Sequence, residues 1–273
     1  MRRKGGVLIL ILWILAIFTI FSIAVSFRAA GDIKLARYES DKIKAAYLAR
    51  AGVMKMLSEI IKDSNDYDSL NEDWNRGMDD PKTLSIRSDI ILYGASDEDS
   101  RLNLNSVSLS KEHLVMLGLD EALAEGILKY KTKKAGKGFE FPEELFLVKD
   151  VTRDVYSAIE GLVTIYRGSE PSVNINTADA AVIKALLPDD GLVSQIIEHR
   201  KGPDGEEGTV DDGIFRYHDD ISAIRGVDPD LFSTGSKVFR IWARVRISGD
   251  KGPAVNIEAV MDRSGKTYNW KEF

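Results

Sequence analysis

The chain has no cysteine among its 273 residues. Disulfide staples, thiolate metal sites and a cysteine nucleophile are therefore excluded. Three histidines, His113, His199 and His218, leave little material for a zinc enzyme. No Walker loop, no GxSxG and no placeable Ser/His/Asp constellation occurs, so catalysis is not expected. Charge is missing from residues 7–27, where Thr19, Ser22 and Ser26 are the only polar side chains. Elsewhere charge is plentiful, 37 basic against 43 acidic residues, and the net of -6 disfavours a generic nucleic-acid binder.

The uncharged run, VLILILWILAIFTIFSIAVSF, follows Met1-Arg2-Arg3-Lys4-Gly5-Gly6. As a helix of 1.5 Å rise it spans roughly 31 Å, about a bilayer's hydrocarbon core. The basic residues before it keep the N-terminus cytoplasmic by the positive-inside rule. Three readings stand: a cleaved signal peptide, with Ala29-Ala30-Gly31 as a weak cleavage site; a plain signal anchor; and a leader cut after a glycine. The third draws on Gly5-Gly6 lying before the apolar run and on a stretch free of proline and glycine as far as Ala30. Helical spacing resumes after Gly31 through Ile33, Leu35, Tyr38, Ile43, Ala46, Ala49, Val53, Leu57 and Ile61. One helix is therefore expected over 7–62, apolar all round over 7–27 and amphipathic beyond. A short basic leader ending in glycine before such a helix resembles the type IV pilins and pseudopilins.

The middle of the chain repeats itself. LNLNSV (102–107) returns as VNINTA (173–178), LAEGILKY (123–130) as VSQIIEHR (193–200), and FPEELFLVKDV (141–151) as YHDDISAIRGV (217–227). Each copy, 101–168 and 169–232, reads helix, tight turn, helix, loop, short helix, turn, helix, with the Asn/Ser/Thr cluster supplying N-caps. The pattern resembles helix-hairpin-helix (SAM-like) modules, which in their DNA-binding members bring a hairpin's backbone amides to a phosphate. Here the hairpins, Gly118-Leu119-Asp120-Glu121 and Pro188-Asp189-Asp190-Gly191, are acidic, and 101–232 carries 15 Lys/Arg against 24 Asp/Glu. Nucleic-acid affinity comes mainly from neutralising phosphates, so the modules read as packing units and no nucleic-acid partner is expected.

Strand-like stretches flank the repeats. TLSIRSDIILYG (83–94) is isoleucine-rich, and KVFRIWARVRISG (237–249), AVNIEAVMDRSG (254–265) and TYNW (267–270) read as an antiparallel meander with turns at Gly249-Asp250 and Ser264-Gly265. The fold class is α+β: a transmembrane and amphipathic helix on an antiparallel sheet, with a large all-α insertion. The segments are a leader (1–6), the helix (7–62), the first part of an α/β domain (63–100), the insertion (101–232) and the C-terminal strands (233–273).

The leader and helix, DSLNEDW (69–74 with Asp68), DEDSRLNLNS (97–106), VNINTA and FRIWARVRI…VNIEAVMDR together resemble the minor pseudopilin K family of the type II secretion system (general secretion pathway protein K). The resemblance implies a pilin-like domain held in the inner membrane, its bulk periplasmic, joining minor pseudopilins I and J at the pseudopilus tip. It implies cleavage by prepilin peptidase between Gly6 and Val7 with N-methylation of Val7, and helix packing through a stripe that includes Leu35 and Ile43. The fifth mature position, glutamate in most pseudopilins, is Ile11 here, as is typical of this family. The alternative is a membrane-anchored helix-hairpin-helix DNA-uptake protein, which cationic hairpins would support.

One loop has ligand chemistry. In 202–213, GPDGEEGTVDDG, carboxylates and glycines alternate so that oxygens can converge on a hard cation. The spacing is not that of an EF-hand; the loop resembles calcium loops of pilin-like and other exported proteins. Asp204, Glu206, Glu207, Asp211 and Asp212 are the candidate ligands of a structural calcium ion, and a solvated acidic turn is the competing reading. The matching place in copy one, 131–137, is basic. Asp97, Glu98 and Asp99 read as a surface turn.

Overall fold

The helix pattern at the start of the chain folds as one element, α1 (Lys4–Lys62). The structure, a computed structural model, describes residues 4–134, 137–168, 170–247 and 252–273. Met1, Arg2 and Arg3 of the expected leader lie outside the described residues. Gly5 and Gly6 continue the first turn, so α1 begins slightly earlier than expected, within the usual looseness of helix ends.

The last five turns of α1 lie on an antiparallel sheet. Ala45, Ala49, Val53, Met56, Leu57 and Ile60 are buried, at the three- and four-residue spacing that puts them on one face. Burial of each large member contributes about 1.5–3 kcal/mol. Gly52 sits where helix and sheet approach most closely: a Cβ there would stand 2.7 Å from Ile91 Cγ2 and 2.9 Å from Ala243 Cβ.

The sheet contains β1 (Lys82–Ile86), β2 (Asp89–Asp97), β7 (Val238–Arg246), β8 (Ala254–Asp262) and β9 (Thr267–Glu272), in that spatial order and antiparallel throughout. Ile91, Tyr93, Ile241, Ala243, Ile257 and Ala259 alternate along their strands and face α1 in its core. The single strand expected over 83–94 is instead a hairpin. It turns at Arg87-Ser88, where Arg87 takes a left-handed φ of 58°; two-residue hairpin turns require such a conformation. The expected turn at Gly249-Asp250 lies outside the described residues. Gly265, at the other turn, has φ 87°.

All the helices after α1 lie between β2 and β7 in the chain. The first copy of the repeat has α2 (Lys111–Met116), α3 (Glu121–Lys133), a 3-10 turn (Pro142–Leu147) and α4 (Arg153–Ile159). The second has α5 (Ala180–Leu186), α6 (Asp190–Lys201), α7 (His218–Ser222) and a 3-10 turn (Pro229–Leu231) in place of a final helix. Each copy is tied end to end by a two-residue parallel pairing, β3 (Leu102–Asn103) with β4 (Val163–Thr164), and β5 (Val173–Asn174) with β6 (Phe232–Ser233). One core runs through both copies and reaches the sheet at Val238 and Val260.

The asparagines of the repeated motif do not cap helices, contrary to expectation. Ser110 caps α2 and Asp179 caps α5. Asn105 Nδ2 donates to the Phe139 and Ile165 carbonyls at 2.9 Å each, and its Oδ1 accepts from Phe139 N at 2.7 Å. Asn176 repeats the clamp on Phe215 O, Thr234 O and Phe215 N. A side-chain amide can satisfy a buried backbone donor and acceptor at once. That is why an asparagine stands at this point in each copy.

Candidate functional site

Three places emerge: the bare part of α1, the acidic loop, and a buried seam between insertion and sheet. Along α1, residues 6–40 are exposed throughout. The helix is long and apolar enough to cross a membrane by length and composition. Within it the Thr19 hydroxyl donates to the Leu15 carbonyl at 2.8 Å, so the one threonine of the apolar run spends its polarity inside the helix. Gly6 and Val7 both lie in the helix and are exposed. The apolar stripe expected over 33–61 divides in two. From Ala45 onward one face is covered by the chain's own sheet, whereas Leu35 and Ile43 are 61% and 60% exposed and touch no other element's core.

In the acidic loop hydrogen bonds link three of the five expected ligands through backbone NH groups and one hydroxyl. Asp211 Oδ2 accepts from Asp204 N at 3.2 Å, and Asp212 accepts from Gly208 N at 2.7 Å and Thr209 N at 3.2 Å. The Thr209 hydroxyl donates to both Asp211 (2.9 Å) and Asp212 (3.0 Å). That hydroxyl, with further bonds from the loop including one shared with the Asp204 carboxyl, lowers the Asp211 pKa. Glu206 enters through its backbone NH, which donates to Asp204 Oδ1 at 2.8 Å. Glu207 is diverted: it pairs at 3.1 Å with Arg200, whose side chain is buried and also holds the Ile175 and Ala178 carbonyls. Gly202 ends α6 with φ 60°, and a Cβ there would meet the Asp211 carbonyl at 2.2 Å. Among the described residues no lysine or arginine pairs with Asp204, Asp211 or Asp212. The Thr209 hydroxyl thus links Asp211 with Asp212, and the Asp204 backbone NH links Asp204 to Asp211. Among the described residues the one carboxylate trio with ligand atoms within 4.8 Å of one another is Asp63, Asp68 and Glu72, not the acidic loop, and there Arg263 already pairs with Asp63 and Asp68.

The third place corrects an expectation. Asp97, Glu98 and Asp99 are not a surface turn; they are 4%, 0% and 1% exposed. They sit where the chain leaves β2 for the insertion. Glu98 is gripped by Arg240 through Nε (2.8 Å) and Nη2 (2.9 Å) and by the Thr164 hydroxyl (2.7 Å), while Arg240 Nη1 holds Glu258 at 2.7 Å. Asp97 Oδ2 accepts from Asn174 (3.0 Å), Thr177 (2.5 Å) and Ser236 (2.5 Å). Asp99 lies 2.9 Å from Arg167 Nε and accepts from Lys237 N at 2.8 Å. Asp68 accepts from Ser236 N at 2.7 Å and from Arg263.

Burial pushes the Asp68 and Asp99 carboxyls up to about 7, against the Ser236 and Arg263 contacts of the first and the Arg167 charge beside the second. Burial also raises Asp97. Burial would raise Glu98 too, but the charges of Arg240 and Arg101 outweigh it and its pKa falls. Each of these groups ties one part of the insertion to the sheet or to the loop after α1. The signal that could have marked the seam is the acidic triplet directly ahead of the first repeat, answered by Arg240 and Arg263 after the second.

No protein family and no curated protein matches the chain by sequence. Among solved structures it resembles a chain of the crystal structure of the GspK-GspI-GspJ complex from the enterotoxigenic Escherichia coli Type 2 Secretion System. The TM-score is 0.68 at 14% identity, over 87% of this chain and 99% of that one. The two share a fold.

Proposed function

We propose that the chain is a minor pseudopilin K of a type II secretion system, anchored in the inner membrane by residues 7–27 and joined to pseudopilins I and J at the tip of the periplasmic pseudopilus. The observation that carries this is α1 itself. Its C-terminal turns are used up by its own sheet, but its apolar surface continues bare over residues 33–43, in a fold shared with a component of a complex of such subunits. Apolar surface of that extent is stabilised by a lipid or helical partner. The test is co-purification of the full chain with pseudopilins I and J in detergent. Leu35→Glu with Ile43→Glu is expected to weaken the complex by at least about tenfold, since two desolvated contacts of ~1.5 kcal/mol or more are lost. An undiminished ternary complex on gel filtration counts against the reading.

Processing follows from the same reading. Intact mass of the membrane-extracted protein is expected to begin at Val7 with one added methyl group, and Gly6→Val is expected to leave the leader in place. A mature N-terminus beyond Ala30 would establish an ordinary signal peptide instead.

The DNA-uptake alternative finds little chemical support in the hairpins. The Asp120 carboxylate accepts from Leu123 N at 2.8 Å, and Asp189 accepts from Gly191 N at 2.8 Å and Leu192 N at 3.3 Å. A phosphate would have to displace these carboxylates from amides they already occupy, and would meet their charge.

Calcium belongs to the proposal as a structural ion held by Asp204, Asp211 and Asp212. It would neutralise their mutual repulsion and close 202–213 against α6. At a hundredfold excess over Kd it adds ~2.7 kcal/mol of stability. Asp211→Ala with Asp212→Ala is expected to abolish the calcium-dependent rise in melting temperature while the calcium-free protein stays folded. Superimposable melting curves in EDTA and in calcium would leave the solvated turn as the better description.

A further inference from the structure

The sheet takes only one side of the later turns of α1. On the side turned away from it, Ile33, Ile43, Tyr47, Met54 and Ile61 stand 48% to 68% exposed. With Ala36 and Ser40 between the first two, the steps along the chain are three, four, three, four, seven and seven residues. An apolar row of that spacing keeps a 3.5-residue period, the period at which two supercoiled helices meet. Two positions of the row are spent otherwise. Arg50 is held by Glu272 at 3.2 Å and its guanidinium lies 5.7 Å from the centre of the Tyr47 ring. Leu57 turns under α1 into the sheet's core. The other members present their side chains outward, from the bare turns next to the apolar run to the last turn of the helix.

Charge is sorted beside this row. The heptad positions that flank it hold Arg28, Lys34, Lys42, Lys55 and Lys62, with Asp41 as the one carboxylate. Asp32 and Glu39 fall at the position opposite the row. Glu59 holds Lys55 at 2.7 Å, and Asp89, from the sheet, takes Lys44. Arg28, Lys34, Lys42 and Lys62 have no carboxylate partner among the described residues. Flanking charges of this kind select the partner of a helix pair. From this arrangement we infer that the side of α1 turned away from its sheet packs along an α-helix of another protein, whose own apolar seam is flanked by aspartate and glutamate. A second copy of the chain would set the same cations against these, and like charges at flanking positions repel. A lipid surface is too shallow. The cations run from Arg28 to Lys62, roughly 51 Å along the helix, whereas headgroup charge is screened within about 8 Å at physiological salt. The inference rests on the reading of α1 as a packing helix and goes beyond it, by assigning the side used, the register and the charge of the partner.

Fluorescence anisotropy with the full chain in uncharged detergent tests it. The probes are two labelled synthetic helices of about four heptads, each with isoleucine and leucine in its seam. One carries glutamate at every flanking position and its twin carries lysine, so that each repels its own kind and stays monomeric. The glutamate peptide is expected to bind at least about tenfold tighter than the twin, because several flanking pairs change sign together. Met54→Glu with Ile61→Glu, on the turns that also carry the sheet, is expected to weaken the glutamate peptide about tenfold or more by placing charge in the seam. Lys34→Glu with Lys42→Glu is expected to erase the preference between the twins. All four side chains are exposed, and circular dichroism confirms that the variants fold. Equal affinity for the twins, or no binding up to roughly 1 mM, overturns the inference. Binding that ignores the Met54 and Ile61 changes would reduce the cations to a diffuse patch and overturns it too, as would a dimer of the chain that those changes dissolve. Because the probes are peptides rather than pseudopilins, failure here is separate from failure of the tip-complex reading, which its own co-purification decides.

Discussion

Replacing Glu98 with alanine is expected to lower the melting temperature by about 10 °C. Glu98 is fully buried and holds two donors of Arg240 together with the Thr164 hydroxyl. Its removal leaves Arg240, which burial would otherwise discharge and whose pKa the Glu98 charge holds above its ordinary value, with Glu258 as its one carboxylate partner among the described residues. Breaking one side of a buried ion pair costs about 3–5 kcal/mol, because the remaining charge keeps its desolvation penalty without its counterpart. For a domain of this size each kcal/mol shifts the midpoint by roughly 2–4 °C. Glu98→Gln, which keeps an acceptor for Thr164 and for one Arg240 donor, is expected to cost visibly less. Because Thr164 lies in the insertion and Arg240 in β7, the alanine variant is also expected to broaden the transition as insertion and sheet unfold less cooperatively. Thermal melts followed by circular dichroism decide the matter; a shift below about 2 °C would mean that the seam is not held by this pair.

Between pH 5 and pH 8 the protein is expected to become less stable, not more. Asp68 and Asp99 have folded-state pKa values raised to about 7 by burial, and Asp97 is raised as well. A carboxyl raised in the folded state contributes stability that is complete below its unfolded value of ~3.9 and is lost as pH rises through its folded value. These aspartates share neighbours: Ser236 donates through its NH to Asp68 and through its hydroxyl to Asp97. The proton uptake therefore belongs to the cluster. A single proton bound three pKa units too tightly is worth about 4 kcal/mol at most, or roughly 10 °C. Glu98 and Glu144 have the opposite sign. Burial opposes ionisation of Glu144, but Lys134, two backbone NH groups and the Tyr130 hydroxyl outweigh it and bring its pKa to about 2. Their contributions are present above ~4.3 and fade in acid. The two trends place the stability maximum near pH 5, by the same reference values. Melting temperatures at pH 5 and pH 8 check the sign, and Asp68→Asn is expected to flatten the slope. A protein as stable at pH 8 as at pH 5 would show that these carboxylates are ionised and fully compensated in the fold.

Much of the architecture could be read from local pattern. An uncharged 21-residue run can only be a continuous apolar helix or a buried one, and 33–61 repeats its apolar residues every three or four positions. The internal repeat was legible because each copy needs the same asparagine at the same point of its chain, where one amide satisfies a backbone donor and acceptor together. The strands of the C-terminal meander announced themselves by alternation, since β7 and β8 bury one face under α1.

What the sequence could not decide was which surface each patterned face would meet. The stripe on α1 is one pattern, but its later turns lie under the sheet and its earlier turns are bare; the division is set by where the sheet ends. The loop at 202–213 was legible as a set of carboxylates, but Glu207 belongs to Arg200, which reaches it from α6 because its own side chain is buried beneath the loop. Most of all, the acidic triplet at 97–99 has the composition of a solvated turn, and it became a buried seam. Burial of a charge depends on whether a counter-charge arrives to meet it. Arg240 comes from 142 residues beyond Glu98, and Arg263 from 195 residues beyond Asp68. Short-range periodicity determined this protein's elements; pairings at that distance were decided only when the insertion docked on the sheet, because the energy of a buried ion pair resides in the meeting of its two partners and in neither segment alone.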